Sequence, residues 1–236
     1  IIGQNGAGKT TLVKMLNALL YPTKGTVMIG DMNTKNYTTA QVSRVVGYVF
    51  QNPDDQIFHS SVRAEVEYGL KKMKLPEDQI RHQADYALKM TGIDIYADEN
   101  PFNLPLSMRK FITIAAIIAI DCPVMIFDEP TAGQDLNGNN RLAFILEELS
   151  KKGKTIITIS HDMEFVVNNF KRVIVMANKK VLKSGTPSDI FWDFDVLEKA
   201  MLKQPYVSRL CKELGIEDKV VLMDHAVDIL SKKILS

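Results

Sequence analysis

The sequence predicts an α/β fold built on a mostly parallel sheet, and three observations carry that prediction. A glycine-rich loop, Gly3-Gln4-Asn5-Gly6-Ala7-Gly8-Lys9-Thr10-Thr11, joins the apolar pair Ile1-Ile2 to a stretch where Leu12, Leu16 and Leu19-Leu20 recur at helical spacing. Apolar runs at 45–50, 124–127 and 155–159 have the composition of buried parallel strands, and each ends in polar side chains. Between the first two runs the hydrophobic period changes to that of a helix.

The loop fits the pattern G-x-x-x-x-G-K-[ST] without a gap. Its glycines let the backbone N–H groups from Asn5 to Thr11, including those of Gly6, Ala7 and Gly8, line one concavity at a helix N-terminus, a nest for phosphate. Lys9 is placed to reach the β- and γ-phosphates, and the Thr10 hydroxyl to ligate Mg²⁺. The plainer alternative is a glycine-rich turn between strand and helix. The strand before the loop and the helix after it favour the nucleotide reading.

A chain of 236 residues suits one large α/β domain with an appendage. With 46% hydrophobic and 24% charged residues the composition is that of an ordinary globular protein, and the net charge of +1 leaves no electrostatic footprint for nucleic acid or a membrane surface. Cys122 and Cys211 lack metal-site or framework spacing; two buried thiols in a reducing compartment are expected. No apolar run approaches a membrane span, and 111–120 reads as a core helix. The chain starts without Met, on a strand that belongs inside a sheet, so N-terminal sequence is expected to precede it.

In chain order, 26–29 reads as a short strand before the Gly30-Asp31 turn, and 45–50 as a buried strand. Val62, Val66, Leu70 and Met73 form one helical stripe; Ile80, Ala84, Ala87-Leu88 and Thr91 form the next, ended by Gly92. A loop over 100–108 leads to a helix from Arg109 to Ala119. A strand over 124–127, a helix from Arg141 to Leu149 and a strand over 155–159 follow. A hairpin joins 173–176 to 180–182. From Pro187 onward, helical fragments carry apolar faces too narrow for a core of their own, which predicts packing on the main domain or on a partner.

Ligand groups in such sheets gather at the carboxyl ends of the strands. Gln51, Asp128-Glu129 and His161 stand at three of those ends. Singly, each has a mundane alternative: a loop glutamine, a helix N-cap, a surface histidine. Jointly they point to a Mg²⁺-nucleotide. Asp128 would hold Mg²⁺ through its water shell, and Glu129 would act as base or polariser for the attacking water. Gln51 would touch both metal and water, and His161 would bond the γ-phosphate and sense its loss.

At these residues the chain resembles the ATP-binding subunits of ABC transporters. Gly3–Thr10 is similar to the Walker A loop, Gln51 to the Q-loop glutamine, Val124–Asp128 with Glu129 to Walker B, Ala132-Gly133-Gln134-Asp135 to the D-loop, and His161 to the switch histidine. The stretch from Phe50 to Phe58, the run Asp128–Asp135 and the tail Pro205–Leu214 resemble the energy-coupling-factor (ECF) branch, which powers uptake of vitamins, cobalt or nickel. The resemblance implies a P-loop NTPase core, RecA-like and ABC-type, over 1–58 and 120–186. It further implies a helical subdomain over 59–119 and a C-terminal helical extension over 187–236, a candidate dimer contact. An N-terminal β part that carries the adenine-stacking aromatic is expected upstream. The implied activity is a transport-coupled ATPase using ATP and Mg²⁺ at the cytoplasmic face of the membrane. Implied partners are a second ABC-type ATPase subunit, identical or not, an integral membrane coupling subunit and a substrate-binding membrane subunit; no nucleic acid is implied.

One motif departs from the family. The Leu-Ser-Gly-Gly-Gln signature slot holds Leu104-Pro105-Leu106-Ser107-Met108 in the ungapped register, which keeps the following helix intact. A literal match at Leu106-Ser107 needs a two-residue deletion. In the ungapped register Pro105 removes a hydroxyl and an N–H, while Ser107 would cap the helix and offer the nucleotide a donor from a shifted position. A weakened signature would impair the site built on a partner subunit, so a degenerate-site role in a heterodimer stands as an alternative. A soluble ABC-type ATPase acting on nucleic acid or ribosomes is the rival reading; the coiled coils, tandem cassettes and basic arms of such proteins are absent from the sequence.

Overall fold

A computed structural model of the chain describes residues 1–216 and 218–234; Glu217 and residues 235–236, part of the expected C-terminal extension, lie outside the described residues. The chain divides into two compact units, residues 10–158 and residues 1–9 with 159–236.

Helix α1 (Lys9–Leu16) leads into the larger unit. It stops short of the expected Leu19-Leu20: Ala18 turns to φ 57°, which breaks the helical ladder, and both leucines are exposed. Strands β1 (Met28–Ile29) and β2 (Met32–Asn33) form an antiparallel ribbon of which the sequence reading had only the first strand. Helix α2 (Thr39–Val42) is a single turn held by a capping box between Thr38 and Gln41, too short to show a period.

Strand β3 (Val46–Val49) is buried throughout and pairs in parallel with β4 (Val124–Asp128), Val46 opposite Val124 and Val49 opposite Phe127. Strand β5 (Thr155–Ile159) completes the order β3-β4-β5. Parallel neighbours need a long crossover. Here α3 (Val62–Lys72), α4 (Glu77–Thr91) and α5 (Leu106–Ile120) supply it. The expected stripes are buried from Val62 to Leu70 and from Ile80 to Thr91, and Gly92 closes α4 at φ 67°.

Two helices begin earlier than the sequence reading has them. Pro105, extended at φ −57° and ψ 152°, is the N-cap residue of α5 and makes no side-chain cap bond. Ser107 therefore lies inside the first turn and does not cap the helix, a correction that follows from proline's fixed φ setting the start. Helix α6 (Leu136–Lys151) starts at its cap Asp135, whose carboxylate accepts from Gly138 N, not at Arg141. The polar run 137–140 hides that first turn from a hydrophobic period.

In the second unit Ile1-Ile2 is the expected strand end, reduced to one parallel bridge between Ile2 and Val175. Ile2 N donates to Ile174 O and Met176 N to Ile2 O, both at 2.9 Å, while Ser160 N donates to Ile1 O at 3.3 Å. Helix α7 (Met163–Asn169) starts at its cap Asp162. Strands β6 (Val173–Ala177) and β7 (Lys180–Gly185) form the expected hairpin, turning on Asn178-Lys179 at φ 50° and 62°. Helices α8 (Pro187–Phe191) and α9 (Phe194–Ala200) bury Ile190, Phe191, Leu197 and Ala200 with Ile2, Val173 and Val175, all within this unit.

The last two helices do otherwise. Between α10 (Tyr206–Glu213) and α11 (Met223–Ile234), Val207, Cys211, Ile216, Val220 and Ala226 form a small cluster of their own. Narrow faces suffice there because they meet each other, and Trp192 closes the edge with a 2.8 Å bond from Nε1 to Val220 O. Both cysteines are buried and free, as expected.

Candidate functional site

The phosphate loop lies at the start of the second unit. Gly3, Gly6 and Gly8 have φ of 152°, 78° and 93°, outside the range of ordinary side-chain-bearing residues. A Cβ on Gly3 would collide with the Met176 carbonyl oxygen, and one on Gly8 would lie 3.6 Å from Lys179 Cα, so the β6–β7 turn backs the loop. Lys9 is buried and curls over the loop, its Nζ donating to Gly3 O at 2.7 Å and Gln4 O at 3.1 Å. The same Nζ lies 3.2 Å from His161 Nε2. Two residues 152 positions apart in sequence, expected at the same phosphate, are thus neighbours. Asn5, Gly6 and Thr11 are exposed, while Ala7 is buried under the loop.

In the larger unit a cleft of about 420 Å³ is lined by Thr10, Lys14, Tyr48, Gln51, Lys110 and Asp128, among others. The three expected metal-binding residues, Thr10, Gln51 and Asp128, share it. Asp128 is 2% exposed; its Oδ2 accepts from the Tyr48 hydroxyl at 2.7 Å. Burial first, then that bond, pushes the Tyr48 phenol pKa far up, so the hydroxyl keeps its proton and stays a donor. Asp128 Oδ1 is buried and has no hydrogen-bond partner among the described residues. Glu129 follows at φ 50°, buried, with its carbonyl held by Lys110 Nζ at 2.9 Å.

Those donors fit Mg²⁺. Among the described residues no group of three or more His, Cys, Asp and Glu could hold a metal ion. Mg²⁺ needs no such cage: it keeps waters and binds through one or two carboxylates together with substrate phosphates. The buried Asp128 Oδ1, the Thr10 hydroxyl and the Gln51 amide would hold it in that way.

Tyr48 and Lys110 escaped the sequence reading. A tyrosine inside an otherwise apolar, buried strand was the available signal, because a buried hydroxyl demands a partner. Lys110 falls within the helix expected from Arg109 to Ala119 with no feature to set it apart, yet it is 3% exposed. In the signature slot Leu106 is exposed, and the Ser107 carbonyl accepts from Gln134 Nε2 at 3.0 Å.

Loop, strand-end carboxylates and helical crossover define a phosphate-loop ATPase. The ABC transporter family model matches residues 1–132. The energy-coupling factor transporter ATP-binding protein EcfA1 of Caldanaerobacter subterraneus subsp. tengcongensis is 41% identical over 233 residues, 98% of this chain and 82% of that protein. EcfA of Methanocaldococcus jannaschii is 38% identical over 222 residues, covering 93% and 80%. Among solved structures, cbiO1 from Clostridium perfringens, part of the ABC transporter complex cbiONQ, has a TM-score of 0.75 at 35% identity, covering 89% of this chain and 85% of that one. The chain belongs to the ABC transporter family, and within it to the ECF-type ATP-binding subunits. It binds and hydrolyses ATP with Mg²⁺, on the RecA-like core with mostly parallel sheet expected from the sequence. Among the described residues no helix is long and apolar enough to cross a membrane.

Proposed function

We propose that the chain drives uptake of a vitamin or a transition-metal ion, as a peripheral subunit at the cytoplasmic face of the membrane. Similarity to EcfA proteins and to a component of the cbiONQ complex supports this reading. Its partners are a second ABC-type ATPase subunit, an integral membrane coupling subunit and a substrate-binding membrane subunit. Residues 1–58 and 120–186 serve as the ATPase core, 59–119 as the helical subdomain, and 187–236 as an extension that meets another subunit.

The observation that carries the chemistry is the cleft shared by Thr10, Gln51 and Asp128, with one buried Asp128 oxygen left to take a water or metal. Lys9 and the backbone from Asn5 to Thr11 bind phosphate oxygens. Glu129 orients and polarises the attacking water, and His161 contacts the terminal phosphate. Mg²⁺ supplies charge neutralisation across the phosphate oxygens. Glu129→Gln should bind MgATP, lose most turnover and accumulate a closed dimer; unchanged hydrolysis sinks the role of Glu129. Purification from detergent-solubilised membranes tests the partners. Integral membrane subunits are expected, whereas ribosomal or nucleic-acid partners favour the rival reading.

A second reading concerns the pair. Pro105 at the cap of α5 removes an N–H and a side-chain donor from the signature slot, so this chain offers a weak signature to its partner. Ser107 contributes what polar contact remains. In a heterodimer, substituting Lys9 and the partner's equivalent lysine one at a time should give unequal losses of ATPase activity. Equal losses count against a degenerate-site role.

A further inference from the structure

Glu129 holds φ 50°, a left-handed backbone that a residue with a Cβ keeps only when its surroundings enforce it. A side chain of α5 holds the carbonyl of this residue. Lys110 Nζ donates to Glu129 O at 2.9 Å and to Ala132 O at 3.1 Å, and Ala132 N closes the turn onto Glu129 O at 3.3 Å. A return tie runs from Gln134 Nε2 to Ser107 O at 3.0 Å, in the first turn of the same helix. Lys110 gains little from being a lysine in packing terms. Burial lowers its pKa against the pull of the Glu129 and Asp128 carboxylates, so a charged amine at this depth is an electrostatic burden unless its donors are used.

We propose that Lys110 is a positioning residue for Glu129: by fixing the Glu129 carbonyl it fixes the peptide that aims the carboxylate, and with the Gln134–Ser107 tie it makes that aim depend on the seat of α5. The proposal rests on reading Glu129 as the residue that polarises the attacking water. Because α5 begins directly after Pro105, a shift of the signature segment would reach Glu129 through one buried amine and one amide.

The test compares Lys110→Met, Lys110→Arg and Glu129→Gln with the parent protein in kcat, KM for ATP, MgATP binding and thermal midpoint. Met keeps most of the side-chain length and removes the donors; Arg keeps a cationic group with donors for both carbonyls. Lys110→Met should lower kcat roughly tenfold to a hundredfold through misplacement of Glu129, with KM and binding held within about threefold. Lys110→Arg should recover most of that loss. A Lys110→Met kcat within about twofold of the parent, beside an inactive Glu129→Gln, overturns this inference alone. So does a parallel fall of kcat, binding and thermal midpoint with no recovery in Lys110→Arg. Full turnover in Glu129→Gln overturns the reading of Glu129 and this inference with it. If Lys110→Met does not fold, Gln134→Ala is read in its place: a lower kcat with binding intact supports the proposal, and a parent-like kcat overturns it.

Discussion

The Arg109 guanidinium donates to Asp54 Oδ1 at 2.6 Å, tying the short 3-10 turn that follows Gln51 to the first turns of α5. Arg109 also lies over the Phe102 ring, 5.8 Å from its centroid. Both partners of the ion pair are partly exposed, so its contribution to stability should be modest, about 0.5–1 kcal/mol. Its geometric role is larger, because it joins the Q-loop to the helix that carries the signature segment. Arg109→Ala and Asp54→Asn should each lower ATP turnover by more than their small stability losses explain, and the double variant should lose no more than either alone. Urea unfolding beside steady-state ATPase assays, read as a double-mutant cycle, checks this.

Tyr48→Phe removes the hydroxyl that occupies Asp128 Oδ2. The carboxylate then loses the bond that fixes its orientation, and partners of this kind typically matter about tenfold or more for metal affinity or activity. The expected outcome is a higher Mg²⁺ requirement for ATPase activity, with a stability loss of about 1–3 kcal/mol because a buried carboxylate oxygen loses its donor. An unchanged Mg²⁺ titration would show that Asp128 is oriented by other contacts.

Gly47 on β3 has no room for a side chain. A Cβ there would lie 2.5 Å from Ile117 Cγ2 on α5 and 3.3 Å from Cys122 Sγ. Gly47→Ala should destabilise the larger unit by about 1–3 kcal/mol through overpacking. Adding Ile117→Val should restore part of it, measured as a shift in the denaturation midpoint.

Cys122 gives a signed pH dependence. Burial, opposed by the nearby Lys154 charge, pushes its thiol up from 9.0 to about 11. The unfolded thiol ionises above pH ~9 while the folded one keeps its proton, so stability falls with rising pH until the folded thiol also ionises. The contribution is about 2–3 kcal/mol, fully present below that window and lost across it. Cys122→Ala should flatten this part of the curve. Thiol-directed reagents should also react slowly with Cys122 and Cys211 in the folded protein and fast on unfolding.

What sequence made legible here follows physical range. The phosphate loop is a short gapless pattern, Gln51, Asp128 and His161 stood out by their joint placement at strand ends, and Lys9 and His161 do meet. Strand β5 was readable to its end residues because a β-branched run between polar termini has one interpretation. Helix starts were less readable. Asp135 and Pro105 cap α6 and α5 before the apolar period begins, so a periodicity argument places both helices too late. Tyr48 and Lys110 were hidden for another reason. Their partners, Asp128 and the Glu129 carbonyl, are 80 and 19 positions away, and only the parallel pairing of β3 with β4 and the return of α5 bring them close.

The Asn178-Lys179 turn behind Gly8 has a practical consequence. A two-residue hairpin loop would ordinarily be a natural place to lengthen the chain, insert a tag or open a circular permutant. Here its left-handed backbone abuts the phosphate cradle, so added residues would loosen a wall that keeps the loop in shape before any nucleotide arrives. Ordering then left until binding would weaken affinity, without a single phosphate-contacting residue having been changed.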